Sequence, residues 1–198
     1  MAGVSIGYSG GIAGDALSIS GTGTFTAKNV GTSLGYTISG LTLGGVDSAN
    51  YYVSGGSSLS GTNGVITPKN LTASFNASNK VYDRLLTASV VGSSGDIVGS
   101  DAVNFTHTSA TFDTKDIGTG KTVTVSGISL DGADKDNYAL QNTSTTTTAA
   151  ITKKAATVTG TLTSVEYNKS AQTQAAALTS GFIVGDTISV GGLASATA

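Results

Sequence analysis

The sequence predicts an all-β fold built from small tandem domains. Three observations carry that expectation: short runs of period-two alternation, a composition poor in helix formers, and an internal repeat of about 87 residues. Thr122-Val123-Thr124-Val125, Thr24-Phe25-Thr26-Ala27 and Leu71-Thr72-Ala73-Ser74-Phe75 alternate polar and apolar side chains, as does Thr157-Val158-Thr159-Gly160-Thr161-Leu162 with one Gly break. That period places one face on a core and one in water, the pattern of half-buried antiparallel strands. Threonine suits the wet face because its β-branch favours extended backbone. Gly44-Gly45, Asn63-Gly64, Gly92-Ser93-Ser94-Gly95, Gly118-Thr119-Gly120 and Asp131-Gly132 separate the runs as turn signals, with Asn63-Gly64 reading as a type I′ hairpin. Only Ser170 to Leu178, Ala-rich and short, tolerates a helix. Strand spacing of roughly 8–12 residues suits β-sandwich or β-grasp-like repeat domains in a rod.

The repeat emerges when the chain is aligned with itself. Thr24-Phe25-Thr26-Ala27-Lys28 matches Thr111-Phe112-Asp113-Thr114-Lys115, Ser39-Gly40-Leu41 matches Ser126-Gly127-Ile128, and Asp47-Ser48-Ala49-Asn50-Tyr51 matches Asp134-Lys135-Asp136-Asn137-Tyr138, all at an offset of 87. Ile66-Thr67-Pro68-Lys69 matches Ile151-Thr152-Lys153-Lys154, and Val81-Tyr82-Asp83 matches Glu166-Tyr167-Asn168, at 85. Gly14-Asp15, Gly95-Asp96 and Gly185-Asp186 read as three copies of one step. A unit this long is too large for a solenoid coil and fits an array of whole domains. The frame is one complete repeat, residues 70–154, flanked by an incomplete closing half, 1–69, and an incomplete opening half, 155–198.

Composition narrows function. Gly, Ser and Thr supply 85 of 198 residues, and charged residues only 11%. With no Cys and one His, a zinc site, a disulfide scaffold and a thiol enzyme are excluded. Ten Lys and Arg and a net charge of −2 argue against nucleic acid as a partner. No run approaches 18 apolar residues, so no transmembrane helix and no membrane insertion are expected, and no signal peptide is visible at Met1-Ala2-Gly3. Low charge and a single Pro argue for folded, thin-cored modules over disorder.

No catalytic, cofactor or metal constellation is expected. His107 has no partner pattern and reads as a solvent-facing position. Asp131, Asp134 and Asp136 could offer oxygens to Ca²⁺, but the first repeat keeps only Asp47 of the set, and a solvated turn is the simpler reading. Tyr51, Tyr82, Tyr138 and Tyr167 recur at equivalent positions and read as rings capping a thin core, with a sugar-binding platform as the other reading. Lys28 and Lys115 recur between apolar neighbours and read as exposed strand lysines, the alternative being an intramolecular isopeptide crosslink. Asn70, Asn76, Asn104, Asn142 and Asn168 stand in Asn-x-Ser/Thr, little more than the Ser and Thr content produces by chance.

Lys80-Val81-Tyr82-Asp83, then Gly95-Asp96, Phe112, Lys115, Gly127, Asn137-Tyr138-Ala139-Leu140 and Ala150-Ile151-Thr152 resemble the YDG-type repeat domain of large bacterial adhesins of the filamentous haemagglutinin kind. Glu166-Tyr167-Asn168-Lys169 is similar to the related MBG modules. Where the family has Gly after Tyr-Asp, this chain has Arg84 in one copy and Lys169 in the next. The resemblance implies a secreted, extracellular, non-catalytic repeat at the bacterial cell surface, acting as stalk or filament. Its expected partners are neighbouring repeats, or identical subunits joined head to tail through the two incomplete halves. A glycan- or protein-binding module is the alternative, with an apparent six-residue insertion around Val103 to His107 as its candidate loop.

Overall fold

The computed structural model describes residues 6–160, 164, 166–170 and 178–187. The described residues are all-β apart from two short 3₁₀ turns, Ser48–Asn50 and Lys135–Asn137. The strands in chain order are β1 (Ser18–Phe25), β2 (Gly31–Gly44), β3 (Ser58–Ile66), β4 (Lys69–Leu71), β5 (Ser74–Ala77), β6 (Lys80–Val81), β7 (Val90–Ser93) and β8 (Asn104–Thr106). There follow β9 (Ser109–Phe112), β10 (Gly118–Ser126), β11 (Ser129–Asp131), β12 (Tyr138–Leu140), β13 (Ser144–Thr152), β14 (Thr157–Thr159) and β15 (Leu178–Ser180). Most of the Ala-rich stretch from Ser170 lies outside the described residues, and its last residue, Leu178, opens β15.

The chain divides into two compact units. One comprises Met1–Leu71, Asp96–Val103 and Gly132–Gln141. In it β1, β2 and β3 form an antiparallel sheet, and β12 pairs in parallel with β4. The other comprises Thr72–Gly95, Asn104–Asp131 and Asn142–Ala198. Its largest sheet runs β6-β13-β10-β9, beside the two-stranded pairs β5–β7, β8–β11 and β14–β15. Phe112, Val123, Ala149 and Ile151 form its buried cluster, with Ala77, Tyr82, Ala88 and Val90 packed against it. The alternation predicted for Thr122–Val125 holds, since both valines are fully buried and both threonines exposed. Leu71, Ala73 and Phe75 are likewise buried, with Thr72 and Ser74 exposed between them.

The structural elements repeat with the sequence. Phe25 faces Tyr36 across β1–β2, and 87 positions later Phe112 faces Val123 across β9–β10. The two 3₁₀ turns are also 87 apart. Ser74 faces Ser93 in β5–β7, and Thr159 faces Leu178 in β14–β15, an offset of 85. Even backbone signs recur: Gly40 and Gly127 sit at φ 65° and 66°, Ser33 and Gly120 at 62° and 63°.

One turn expectation is corrected. Asn63-Gly64 is not a hairpin but lies within β3. Gly64 is there because the strand passes hard against the Phe25 ring and the Leu34 carbonyl, where a Cβ would overlap. Close approach is the second common use of a strand glycine, and sequence cannot separate it from a turn.

Candidate functional site

Among the described residues the most elaborate polar arrangement is a clasp of one tyrosine and two aspartates, and it occurs there twice. In the first copy the Tyr51 hydroxyl donates to Asp15 and accepts from the Ile12 N–H at 3.1 Å, while Asp47 Oδ2 accepts from the Ala16 N–H at 2.8 Å. In the second the Tyr138 hydroxyl donates to Asp101 at 2.8 Å and accepts from the Val98 N–H at 2.8 Å, while Asp134 Oδ2 accepts from the Ala102 N–H at 2.9 Å. Six hydrogen bonds thus tie the loop before β1, and its later counterpart, to the Asp-x-x-Asn-Tyr turn. The turn supplies both the carboxylate and the ring because its single 3₁₀ turn spaces them. The bond to Asp15 raises the Tyr51 hydroxyl above its ordinary pKa of 10.0. Tyr138 is raised chiefly by burial and next by Asp101. Both tyrosines are therefore neutral hydrogen-bond donors at neutral pH.

The clasp corrects the alignment of the Gly-Asp step. Asp15, Asp101 and Asp186 each donate their N–H to the residue three before, Ile12, Val98 and Ile183, at 3.1, 3.1 and 3.0 Å. The middle copy is therefore Ser100-Asp101 and not Gly95-Asp96. Positive φ is carried by Gly14 and Gly185 in the outer copies and by Gly99, one residue earlier, in the middle one, which hid the match. The apparent six-residue insertion around Val103 to His107 disappears with this correction. Thr106 hydrogen-bonds Ser129 at 2.6 Å just as Ser20 hydrogen-bonds Thr42 at 2.7 Å. Only one extra residue remains, at the break between β8 and β9. His107 lies there, exposed, its ring edge-on to Phe75 at 5.8 Å.

A second recurring feature lies where one repeat meets the next. A cavity of about 270 Å³ is lined by Lys28, Val30, Lys69, Val98, Asp101 and Tyr138, among others. Within it Asn137 Oδ1 accepts from the Val30 N–H at 2.9 Å, and Lys69 donates to the Asp96 carbonyl. A cavity of about 240 Å³ is lined by Ile117, Lys154, Ile183 and Asp186, the counterparts of Val30, Lys69, Val98 and Asp101, together with Tyr82. At this second junction Arg84 reaches Asp186 at 3.6 Å and donates to the Val184 carbonyl at 2.9 Å.

Other sequence candidates separate. Asp131 and Asp136 are exposed, Asp134 is engaged in the clasp, and no metal-binding group of three or more His, Cys, Asp or Glu exists among the described residues. Lys28 and Lys115 are exposed, pairing with Asp134 at 3.8 Å and Asp116 at 3.6 Å. Tyr82 carries Lys115 over its ring at 5.7 Å, and Tyr167 is exposed. Asn70, Asn76, Asn104 and Asn168 are exposed, whereas the Asn142 amide is bonded to Ala73 N–H and carbonyl at 2.9 and 3.0 Å.

Two further lysines organise local contacts whose partners the sequence analysis does not name. Lys80 Nζ gathers Asp83, Leu85 and Thr87 oxygens at 2.8, 2.7 and 3.0 Å above the Phe112 ring. Lys121 binds Asp113 at 3.0 Å and Thr114 at 2.6 Å. Their hydrogen bonds hold Asp83 and Asp113 below the usual carboxylate pKa. The Lys-x-x-Asp spacing of Lys80 and Asp83 was a usable signal for the first; nothing local marks the second.

The described residues thus define an all-β protein in which one polar clasp stands in two copies. The chain belongs to the YDG domain family, whose model matches residues 1–59 and 67–148. No curated protein and no solved structure matches it.

Proposed function

We propose that the chain is a non-catalytic structural segment of a secreted bacterial surface adhesin or extracellular fibre. In this reading small β-sandwich or β-grasp-like YDG repeats, with 70–154 as the complete one, stack into a rod that serves as stalk or filament. One observation carries it: the same clasp recurs in the next copy, tying side chains to the chain's own backbone, and the residues lining the junction recur with it. A binding module concentrates irregular aromatic or charged residues in one copy, whereas here the clasp is the same in both copies. Small-angle scattering on the chain, paired with a glycan array, tests the proposal. The expected result is an elongated particle that captures no glycan. A compact particle, or saturable capture of one glycan class, overturns it in favour of the binding module.

A further inference from the structure

The first repeat carries one residue in β3 that the second repeat lacks in β13. Along β2–β3 the pairing runs Tyr36 with Gly61 and then Leu34 with Gly64, so Thr62 and Asn63 stand opposite Gly35 alone. The same stretch of β10–β13 is unbroken, with Val123 beside Thr147, Thr122 beside Thr148 and Lys121 beside Ala149. An extra residue of this kind is a β-bulge, which leaves one backbone unit unpaired and interrupts the ladder. The bulge falls on the one Asn-Gly pair in the sequence: of ten Asn, only Asn63 precedes a Gly.

Two further features favour attack of a backbone nitrogen on a side chain here. Gly64 has no Cβ to shield its nitrogen, and the packing keeps it a glycine, since a Cβ would overlap the Phe25 ring and lie 2.9 Å from the Leu34 carbonyl oxygen. The Asn63 carboxamide is exposed and forms no side-chain hydrogen bond among the described residues. By contrast, the carboxamide oxygens of Asn79, Asn137 and Asn142 are held by the N–H groups of Ala150, Val30 and Ala73 at 2.7, 2.9 and 2.9 Å. The exposure belongs to the repeat. Thr148, at the equivalent place in a strand flanked by both β10 and β6, is exposed as well.

We propose that Asn63 is a self-modification site, converted in the folded chain to aspartate and isoaspartate by opening of the bulge alone. In the opened bulge the Gly64 nitrogen attacks Asn63 Cγ. An N–Cγ bond forms, the nitrogen loses its proton, and the Cγ–Nδ2 bond breaks to release ammonia, leaving a succinimide. Water, the one co-reactant, then adds to either imide carbonyl. Cleavage at Cγ gives aspartate, and cleavage at the backbone carbonyl gives isoaspartate. Both products add a negative charge to β3. Isoaspartate also lengthens the backbone by one carbon between the Gly61 and Gly64 pairings, which displaces Gly64 from its place under Phe25. The second repeat has no such site, since Thr148-Ala149 stands where Asn63-Gly64 stands in the first. The inference is independent of the stalk reading above, for it rests on one strand and water.

Incubation of the full 198-residue chain in neutral buffer, followed by peptide mapping with tandem mass spectrometry, provides the test. Asn63 is expected to convert first among the ten Asn, with isoaspartate identified by enzymatic methylation of the product. Its rate in the folded chain is expected to lie about ten- to a hundredfold below that in the urea-unfolded chain, an opening cost of about 1.4–2.8 kcal/mol. Local opening exposes little surface, so the rate is expected to stay flat as urea is raised below the unfolding transition. Deletion of Thr62 moves Asn63 to the place of Thr148 in an unbroken ladder and is expected to slow conversion by about tenfold or more, with a thermal melt confirming the fold. A deletion variant that does not fold leaves the urea dependence to decide. The proposal is overturned by a folded chain in which Asn63 does not convert, or in which another Asn converts as fast. It is also overturned by a rate that rises with urea in step with the unfolded fraction, or by a folded deletion variant that reacts as fast as the parent.

Discussion

Substituting Gly132 by alanine tests whether the clasp is as tight as it is drawn. Gly132 has φ +105°, and a Cβ there would overlap the Ala102 carbonyl oxygen, with the carbonyl carbon at 2.9 Å and Val103 Cα at 3.3 Å. The neighbours are backbone, so no side-chain rotation relieves the contact. Gly45 repeats the arrangement, at φ +100° against the Ala16 carbonyl. Gly120 is the control: its φ is +63°, and nothing lies within 4 Å of its Cβ position. The first repeat has already run that control, for Ser33 stands at the equivalent position with φ 62°. Gly120→Ala therefore costs only the left-handed penalty, about 1 kcal/mol. Gly132→Ala adds a stronger backbone strain and a forced shift of the Ala102 segment, for a total of about 3–4 kcal/mol. For a cooperative unit of this size, that lowers Tm by roughly 12–30 °C, against about 4–8 °C for the control. Thermal melts followed by far-UV circular dichroism read both. Equal losses in the two variants refute the close approach, and with it the geometry of the clasp.

Tyr138→Phe removes a donor to Asp101 and an acceptor for Val98 N–H; thermal melts are expected to show a larger loss than for Tyr51→Phe, because Tyr138 is buried and Tyr51 only half-buried. Both tyrosines have raised pKa values, so the neutral form is favoured in the fold: their stabilisation is complete below pH 10.0 and is lost as pH rises above it, which unfolding melts in alkaline buffers check. Asp83 and Asp113 have lowered values, so their contribution is present above pH 3.8 and disappears as pH falls below it; Lys121→Met is expected to flatten that acid limb in the same melts. Millimolar Ca²⁺ is expected to move Tm by less than about 5 °C in differential scanning calorimetry, since Asp134 is engaged by Ala102 and a larger rise would require a real site. Arg84→Gly relieves a left-handed backbone at φ 68° but removes the Asp186 pair, and calorimetry is expected to give a change within about 1 kcal/mol of zero.

The all-β class and the repeat were legible because both rest on periodicity. Val123 and Val125 are buried for the reason their alternation with Thr announced. The clasp was half legible: Asp47, Tyr51, Asp134 and Tyr138 stood out as recurring, but their partner Asp101 did not. The reason is local. The bend before the aspartate needs a positive φ, and the chain meets that need with Gly14 in one copy and Gly99 in another. The Gly-Asp dipeptide tracks the glycine, whereas the geometry fixes the aspartate. Asn63-Gly64 failed the other way, since the glycine was needed for a neighbouring ring and not for a turn. The salt bridge of Lys121 depends on which side chains the strands bring together, and no short-range pattern carries that, whereas the Lys-x-x-Asp spacing of Lys80 and Asp83 is itself a local signal.

The position after Tyr-Asp shows how a repeat can lose a signature residue and keep its backbone. Arg84 and Lys169, 85 residues apart, stand where the resemblance expects glycine, and both adopt the left-handed conformation that glycine makes easy, at φ 68° and 62°. The conformation is therefore a property of the repeat, not of the residue. For Arg84 the structure contains the offset. Asp83 Oδ1 accepts the Leu85 N–H at 2.9 Å and binds Lys80, which pins the bend from both sides. The guanidinium then reaches Asp186 and the Val184 carbonyl, contacts that glycine could not make. A left-handed non-glycine residue costs about 1–2 kcal/mol, and two contacts of a partly exposed arginine recover a similar amount. Losing the family glycine is thus close to neutral for folding, while it places a cation at the junction with the next copy. Sequence identity at a motif measures only the first of these effects.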